Sequence, residues 1–139
     1  MSAKLMEYFN KQPRLAVLST ANKEGKVNSA VLGSPRMVDE KTVVMTLRNN
    51  RTFANLQENP YAIFAIMEPG KTSPEWKGIR VYLKMIDCRA KGEKLETMRA
   101  QAAQRLGEAT AKLIHAAVTL EVYDVRPMID SGQGWEAAI

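Results

Sequence analysis

The strictest pattern in the chain lies over Ile79–Ile86, where Ile79, Val81, Leu83 and Met85 alternate with Arg80, Tyr82, Lys84 and Ile86. A period of two sorts the sets onto opposite faces of an extended strand, which a helix cannot do. A strand with one apolar face belongs in a sheet packed on a core from one side, the usual condition of antiparallel sheets. The rest of the chain supplies partners. Leu15–Thr20 and Val27–Leu32 flank the turn Asn22-Lys23-Glu24-Gly25 and read as a hairpin, with Pro35 at a strand end. Asp39-Glu40 turns the chain into a third strand, Lys41–Leu47. Tyr61–Met67 is nearly all apolar and predicts a strand buried on both sides. Val118–Val125 is the last.

Helical spacing appears in three places. Leu5, Met6 and Phe9 predict an amphipathic helix from Met1 to about Lys11, stopped by Pro13. Arg51–Glu58 carries Phe53 and Leu56 on one face and stops at Asn59-Pro60. Gly92–Leu106 has Leu95, Met98, Ala102 and Leu106 along one stripe, with Gly107 as the C-terminal cap. The Glu68–Gly78 segment is polar and long enough for a functional rim or lid. The expectation is a single domain over residues 1–139, mainly β with α insertions: a six-stranded antiparallel barrel, closed or split, with short peripheral helices. A barrel this small fills its interior with side chains, so a ligand would sit outside it or at a subunit junction.

The strand over Lys41–Leu47 runs almost directly into the helix at Arg51. Such a bend leaves the first N–H groups of the helix unpaired, at the positive end of its dipole, which is a ready anion site. Arg51 adds a guanidinium that can fork onto phosphate oxygens, Thr52 adds a hydroxyl, and Asn49 or Asn50 is the N-cap. The same residues also suit plain helix capping with a solvated first turn, so the surrounding chain has to decide between the readings.

Composition narrows the function classes. The net charge of +5 is modest and its basic residues are scattered among acids, unlike the clustered stripe of a nucleic-acid binder, but it suits a small anionic ligand. One cysteine, Cys88, and one histidine, His115, argue against a zinc or histidine-based metal site, which usually needs three or four such ligands, and Cys88 has no internal partner for a disulfide. His115, at the entry to an apolar strand, reads as a partly buried structural residue. No run approaches the roughly 18 apolar residues of a membrane span. The N-terminus lacks a charged-then-apolar signal architecture, so the expected location is the cytoplasm.

Taken in order, the hairpin Leu15–Thr20/Val27–Leu32, the block Thr46…Asn50-Arg51-Thr52…Asn55-Leu56-Gln57-Glu58-Asn59-Pro60 and the segment Val122-Tyr123-Asp124-Val125-Arg126-Pro127 resemble the flavin-binding split-barrel family. That family includes pyridoxamine 5'-phosphate oxidase and small bacterial FMN-binding proteins. The resemblance implies a homodimer with FMN in clefts at the subunit junction and a small-molecule substrate or electron donor; with the charge and hydropathy above, no nucleic-acid or membrane partner is expected. It implies that Arg51 and Thr52 hold the FMN phosphate with Asn50 beside them. Thr46 and Leu47 would offer backbone groups to the ring or ribityl chain, and Ser29, Ala30 and Val31 would lie along the other flavin edge. Lys84, with Arg80, either approaches the flavin or is solvated or paired with acids. Trp135 either stacks on the partner's flavin or seals the dimer interface, and Trp76 is a similar case. The Arg51-Thr52 pair stands where the oxidase commonly has Arg-Lys, the Val27–Leu32 strand lacks the oxidase's Arg, and the tail lacks its substrate-binding set. The implied activity is therefore an FMN-dependent oxidoreductase of undefined substrate; the alternatives are an FMN carrier, or a binder of deazaflavin F420 or haem.

Overall fold

The computed structural model describes residues 3–139. Its elements run α1 (Ala3–Asn10), β1 (Ala16–Ala21), β2 (Val27–Val31), β3 (Arg36–Met37), β4 (Thr42–Leu47), α2 (Arg51–Glu58), β5 (Tyr61–Glu68), β6 (Lys77–Arg89), α3 (Glu93–Leu106), α4 (Glu108–Lys112) and β7 (Ala116–Pro127). Met1 and Ser2, which the expected first helix included, lie outside the described residues.

All pairings are antiparallel, in the order β2-β1-β5-β6-β7-β4-β3. The sheet thus has seven strands where the pattern predicts six; the extra one, β3, is two residues long and too short to show a period. The two edge strands are joined by only four residues, Leu32–Pro35. That linker spans at most about 18 Å, whereas the edges of a flat seven-stranded sheet lie about 29 Å apart. The sheet must therefore curl until its edges approach, which makes the barrel.

No backbone ladder joins β2 to β3, so the barrel is split, and α1 fills the seam. Leu5 and Phe9 are fully buried, with the Phe9 ring 5.1 Å from Phe64 of β5. Asn10 bonds both the N–H and the C=O of Met37, at 2.8 and 2.9 Å. Arg14 donates to the carbonyls of Phe9, Gly33 and Pro35 and lies 4.9 Å from the Phe64 ring centre. Burial lowers its pKa, so contacts to carbonyl dipoles and ring faces rather than a carboxylate hold this cation.

The core is built mainly from the inward sets of β1, β4, β5, β6 and β7: Leu18, Val43, Met45, Leu47, Phe64, Ile79, Val81, Leu83, Val118 and Leu120. Gly78, at φ +125°, lets β5 and β6 meet closely, since a Cβ there would stand 2.0 Å from the Ile66 carbonyl oxygen. In β5 the expectation needs correcting. Ala62, Phe64 and Ile66 are buried, but Ile63, Ala65 and Met67 are only half-buried and Tyr61 is exposed, because none of the described residues covers the outer face. Leu106 also departs from its predicted apolar stripe: α3 buries Leu95 and Ala102 against α4 and β7, and its last turn projects clear.

Two irregularities shape the outer face. Tyr82 pairs with Asp124 but Leu83 with Val122, so Tyr123 is the extra residue of a bulge and points outward with Asp124. It meets Tyr61 and Tyr82 with ring centres 5.8 and 6.1 Å apart. Ile86 is the second bulged residue, between Met85 and Asp87, and is exposed.

Candidate functional site

The bend between β4 and α2 is built as its residue types require. Asn50 is the N-cap, its side chain accepting from the Phe53 N–H at 3.1 Å, and its carbonyl accepts from the Ala54 N–H. The N–H groups of Arg51 and Thr52 have no intrahelical acceptor, as at any helix start. No acidic residue occupies the first turn, so no charge within α2 offsets the positive end of its dipole. Arg51 is exposed and, among the described residues, has no acidic partner within 4 Å. Thr52 points the other way and is buried, as is Asn55, which donates to Thr20 Oγ1 at 3.0 Å and fastens α2 to β1. Asn59 caps the far end, its N–H bonding the Asn55 carbonyl.

A cavity of about 440 Å³ opens beside this bend, across the seam of the barrel. One wall is Ala30 and Val31 of β2 with the linker residues Leu32, Gly33 and Ser34; the opposite wall is Thr46, Leu47, Arg48 and Asn50. The ends of α3 and α4 form the third side through Arg105, Leu106 and Thr110. Five predicted residues, Ala30, Val31, Thr46, Leu47 and Asn50, are thus brought to one cavity. Their neighbours differ. Ser29 sits on the outer face, its hydroxyl 2.8 Å from that of Ser19, and Arg51 lies one residue beyond the N-cap at the surface.

The backbone of Thr46 and Leu47 is partly engaged already. Ser34 Oγ donates to the Thr46 carbonyl at 2.9 Å and accepts from its N–H at 3.2 Å, while the His115 N–H donates to the Leu47 carbonyl at 2.7 Å. The His115 ring stacks edge-on against Phe53, 4.7 Å between centres, and so buttresses the bend. What these strand residues retain for a ligand is a second lone pair on each carbonyl.

Lys84 and Trp135 are not brought to this cavity within one chain. Lys84, on central β6, is exposed and lies 5.7 Å from the Tyr61 ring centre, beside the tyrosine cluster. Around that cluster is a second hollow of about 240 Å³, lined by Ser19, Val27, Tyr61, Tyr82 and Tyr123. Burial, then the neighbouring tyrosines, raise the Tyr123 pKa. Arg80 bonds Asp130 at 2.7 Å, so it is paired with an acid rather than free. Trp135 packs, half-buried, against the main core, and Trp76 is half-buried beside β6. Sequence reasoning missed Ser34, Arg48, Arg105 and Thr110; only Arg48, next to the bend, carried a local signal. Among the described residues no group of three His, Cys, Asp or Glu side chains could hold a metal ion, and no helix is long and apolar enough to cross a membrane.

Comparison with known proteins places this geometry. Residues 2–128 match the profile described as pyridoxamine 5'-phosphate oxidase. No curated protein sequence matches the chain significantly. Among solved structures, an FMN-binding protein from Syntrophomonas wolfei subsp. wolfei superposes with a TM-score of 0.71 at 20% identity, covering 91% of this chain and 83% of that one. HupZ of Group A Streptococcus superposes with a TM-score of 0.74 at 20% identity, covering 96% and 98%. The haem storage protein HutZ of Vibrio cholerae gives 0.60 at 16%, covering 88% and 92%. At these identities the structural likenesses establish a shared fold, and the profile match establishes more: the chain belongs to the pyridoxamine 5'-phosphate oxidase family.

Proposed function

We propose that the chain binds FMN in the seam cavity and works as a flavin-dependent oxidoreductase on a small molecule. The observation that carries the reading is the bend itself: a capped helix start with no acid in its first turn, an exposed Arg51 without an acidic partner, and a cavity next to it that gathers Ala30, Val31, Thr46, Leu47 and Asn50. The residues present fit a phosphorylated flavin. Arg51 and the free N–H groups of the first turn hold the phosphate, and the mixed polar and apolar walls receive the rest of the molecule. Bound flavin supplies the hydride or electron chemistry, so the chain needs no acid–base pair of its own. Its residues bind, orient and limit water.

The reading includes a homodimer in the cytoplasm. The outer face of β1, β2 and β5 displays Val27 at 83% exposure and Val31 at 78%, with Val17, Ile63, Ala65 and Tyr61 around the Ser19–Ser29 pair, a largely apolar surface of the kind that marks an interface. Lys84 and Trp135, remote from the cavity of their own chain, reach a flavin only across that interface.

Absorbance of the freshly purified protein tests the cofactor. Bands of oxidised flavin support the reading. A deazaflavin or Soret band moves the assignment to F420 or haem, and a colourless protein that takes up no FMN overturns it. Turnover of NAD(P)H with artificial acceptors separates an oxidoreductase from an electron-transfer carrier, which gives none.

A further inference from the structure

Another cavity, of about 540 Å³, adjoins the seam cavity and shares Gly33, Ser34 and Arg105 with it. It runs between α3 and the Leu32–Pro35 linker, under the end of α1. The charge of its wall is one-sided: the two cavities together are lined by Arg14, Arg36, Arg48 and Arg105 and by no aspartate or glutamate, in a chain with 15 acidic residues. Arg14 is spent on three carbonyls, but its charge remains, half-buried and, among the described residues, with no carboxylate within 4 Å. Arg36 and Arg105 are exposed and, among the described residues, have no acidic partner within 4 Å. Gln101 and Gln104 add amides from the same face of α3. Elsewhere, Arg51 at the helix start apart, the arginines do find acids: Arg80 and Arg126 share Asp130, Arg89 pairs with Asp87, and Arg99 with Glu96. Unpaired guanidinium forks converging on a cleft suit carboxylate or phosphate oxygens, and acid-free walls focus the field on such a ligand.

We infer that this cleft is a binding site for a small molecule carrying at least two acid groups, carboxylate or phosphate, gripped by Arg36 and Arg105 and delivered to the mouth of the neighbouring cavity. That the ligand there meets a flavin rests on the function proposed above; that the cleft binds anions does not. It names the substrate class: an acidic metabolite rather than a neutral or cationic one.

Calorimetric titration of the full chain, with and without FMN, tests it using citrate and inorganic pyrophosphate as probes and acetate as the monovalent control at matched ionic strength. Saturable binding of either probe at least tenfold tighter than acetate, lost by tenfold or more in the Arg36→Gln/Arg105→Gln double variant with its circular dichroism unchanged, is the expected result. A response to citrate alone assigns carboxylates, and one to pyrophosphate alone assigns phosphates. Binding no tighter than acetate, or unaltered in the double variant, overturns the inference. Because the titration without FMN reads the cleft by itself, a failure of flavin binding leaves its outcome interpretable.

Discussion

At the scale of single residues, Arg51 carries the most weight. It is exposed at a helix start whose first turn holds no acid, and it follows an N-cap whose side chain is committed to Phe53. Replacing it removes a charged donor and nothing from the core. Arg51→Ala is expected to weaken FMN binding by about ten- to hundredfold, or about 1.5–3 kcal/mol, with unfolding temperature unchanged; fluorescence titration measures the first and thermal melting the second. Thr52, named beside it from the sequence, is buried against the core. Its neighbour along the chain could be read as surface, but which of two adjacent helical residues faces inward depends on where the helix docks, and that is a tertiary fact.

At the scale of elements, one carboxylate ties the start of the C-terminal tail to β6 and β7. Asp130 accepts from Arg126 at 2.7 Å, from Arg80 at 2.7 Å and from the Gly132 N–H at 2.8 Å. The hydrogen bonds from Arg126 and Gly132, with the two guanidinium charges, hold its carboxyl well below the usual range, while partial desolvation opposes them. A depressed carboxyl pKa stabilises the folded form above its unfolded value and loses that contribution as pH falls through the folded one. Asp130→Asn is therefore expected to lower the melting temperature at neutral pH, with the gap to the parent chain narrowing once pH drops below about 4; melts between pH 7 and pH 2.5 read it, and a constant gap contradicts it. Element by element, what the sequence made legible follows from periodicity. Ile79–Met85 alternates as the structure does, and the helix start at Asn50 and the stop at Gly107 lie where capping chemistry puts them. The two-residue β3, the bulge that turns Tyr123 outward and the approach of Arg105 to Arg36 were not legible, because each depends on pairing or packing between segments far apart in the chain.

At the scale of the whole molecule, a split barrel closed by α1 leaves one apolar outer face and one seam, and the proposed function uses both. Val27 stands on edge strand β2 with little contact in its own chain, so exchanging it for lysine costs the monomer little. The Val27→Lys variant, which leaves the cavity wall at Val31 intact, is expected to run as a folded monomer in light scattering where the parent chain runs as a dimer, and to lose affinity for FMN with it; a parent chain that is monomeric contradicts the shared-interface account. The seam is tested most directly by comparing FMN with riboflavin, which differ only in the phosphate, in fluorescence titrations of the parent chain at low salt. The account predicts that FMN binds at least tenfold tighter, since the bend of β4 into α2 grips the phosphate. Equal affinities for the two, or binding of neither, contradict it.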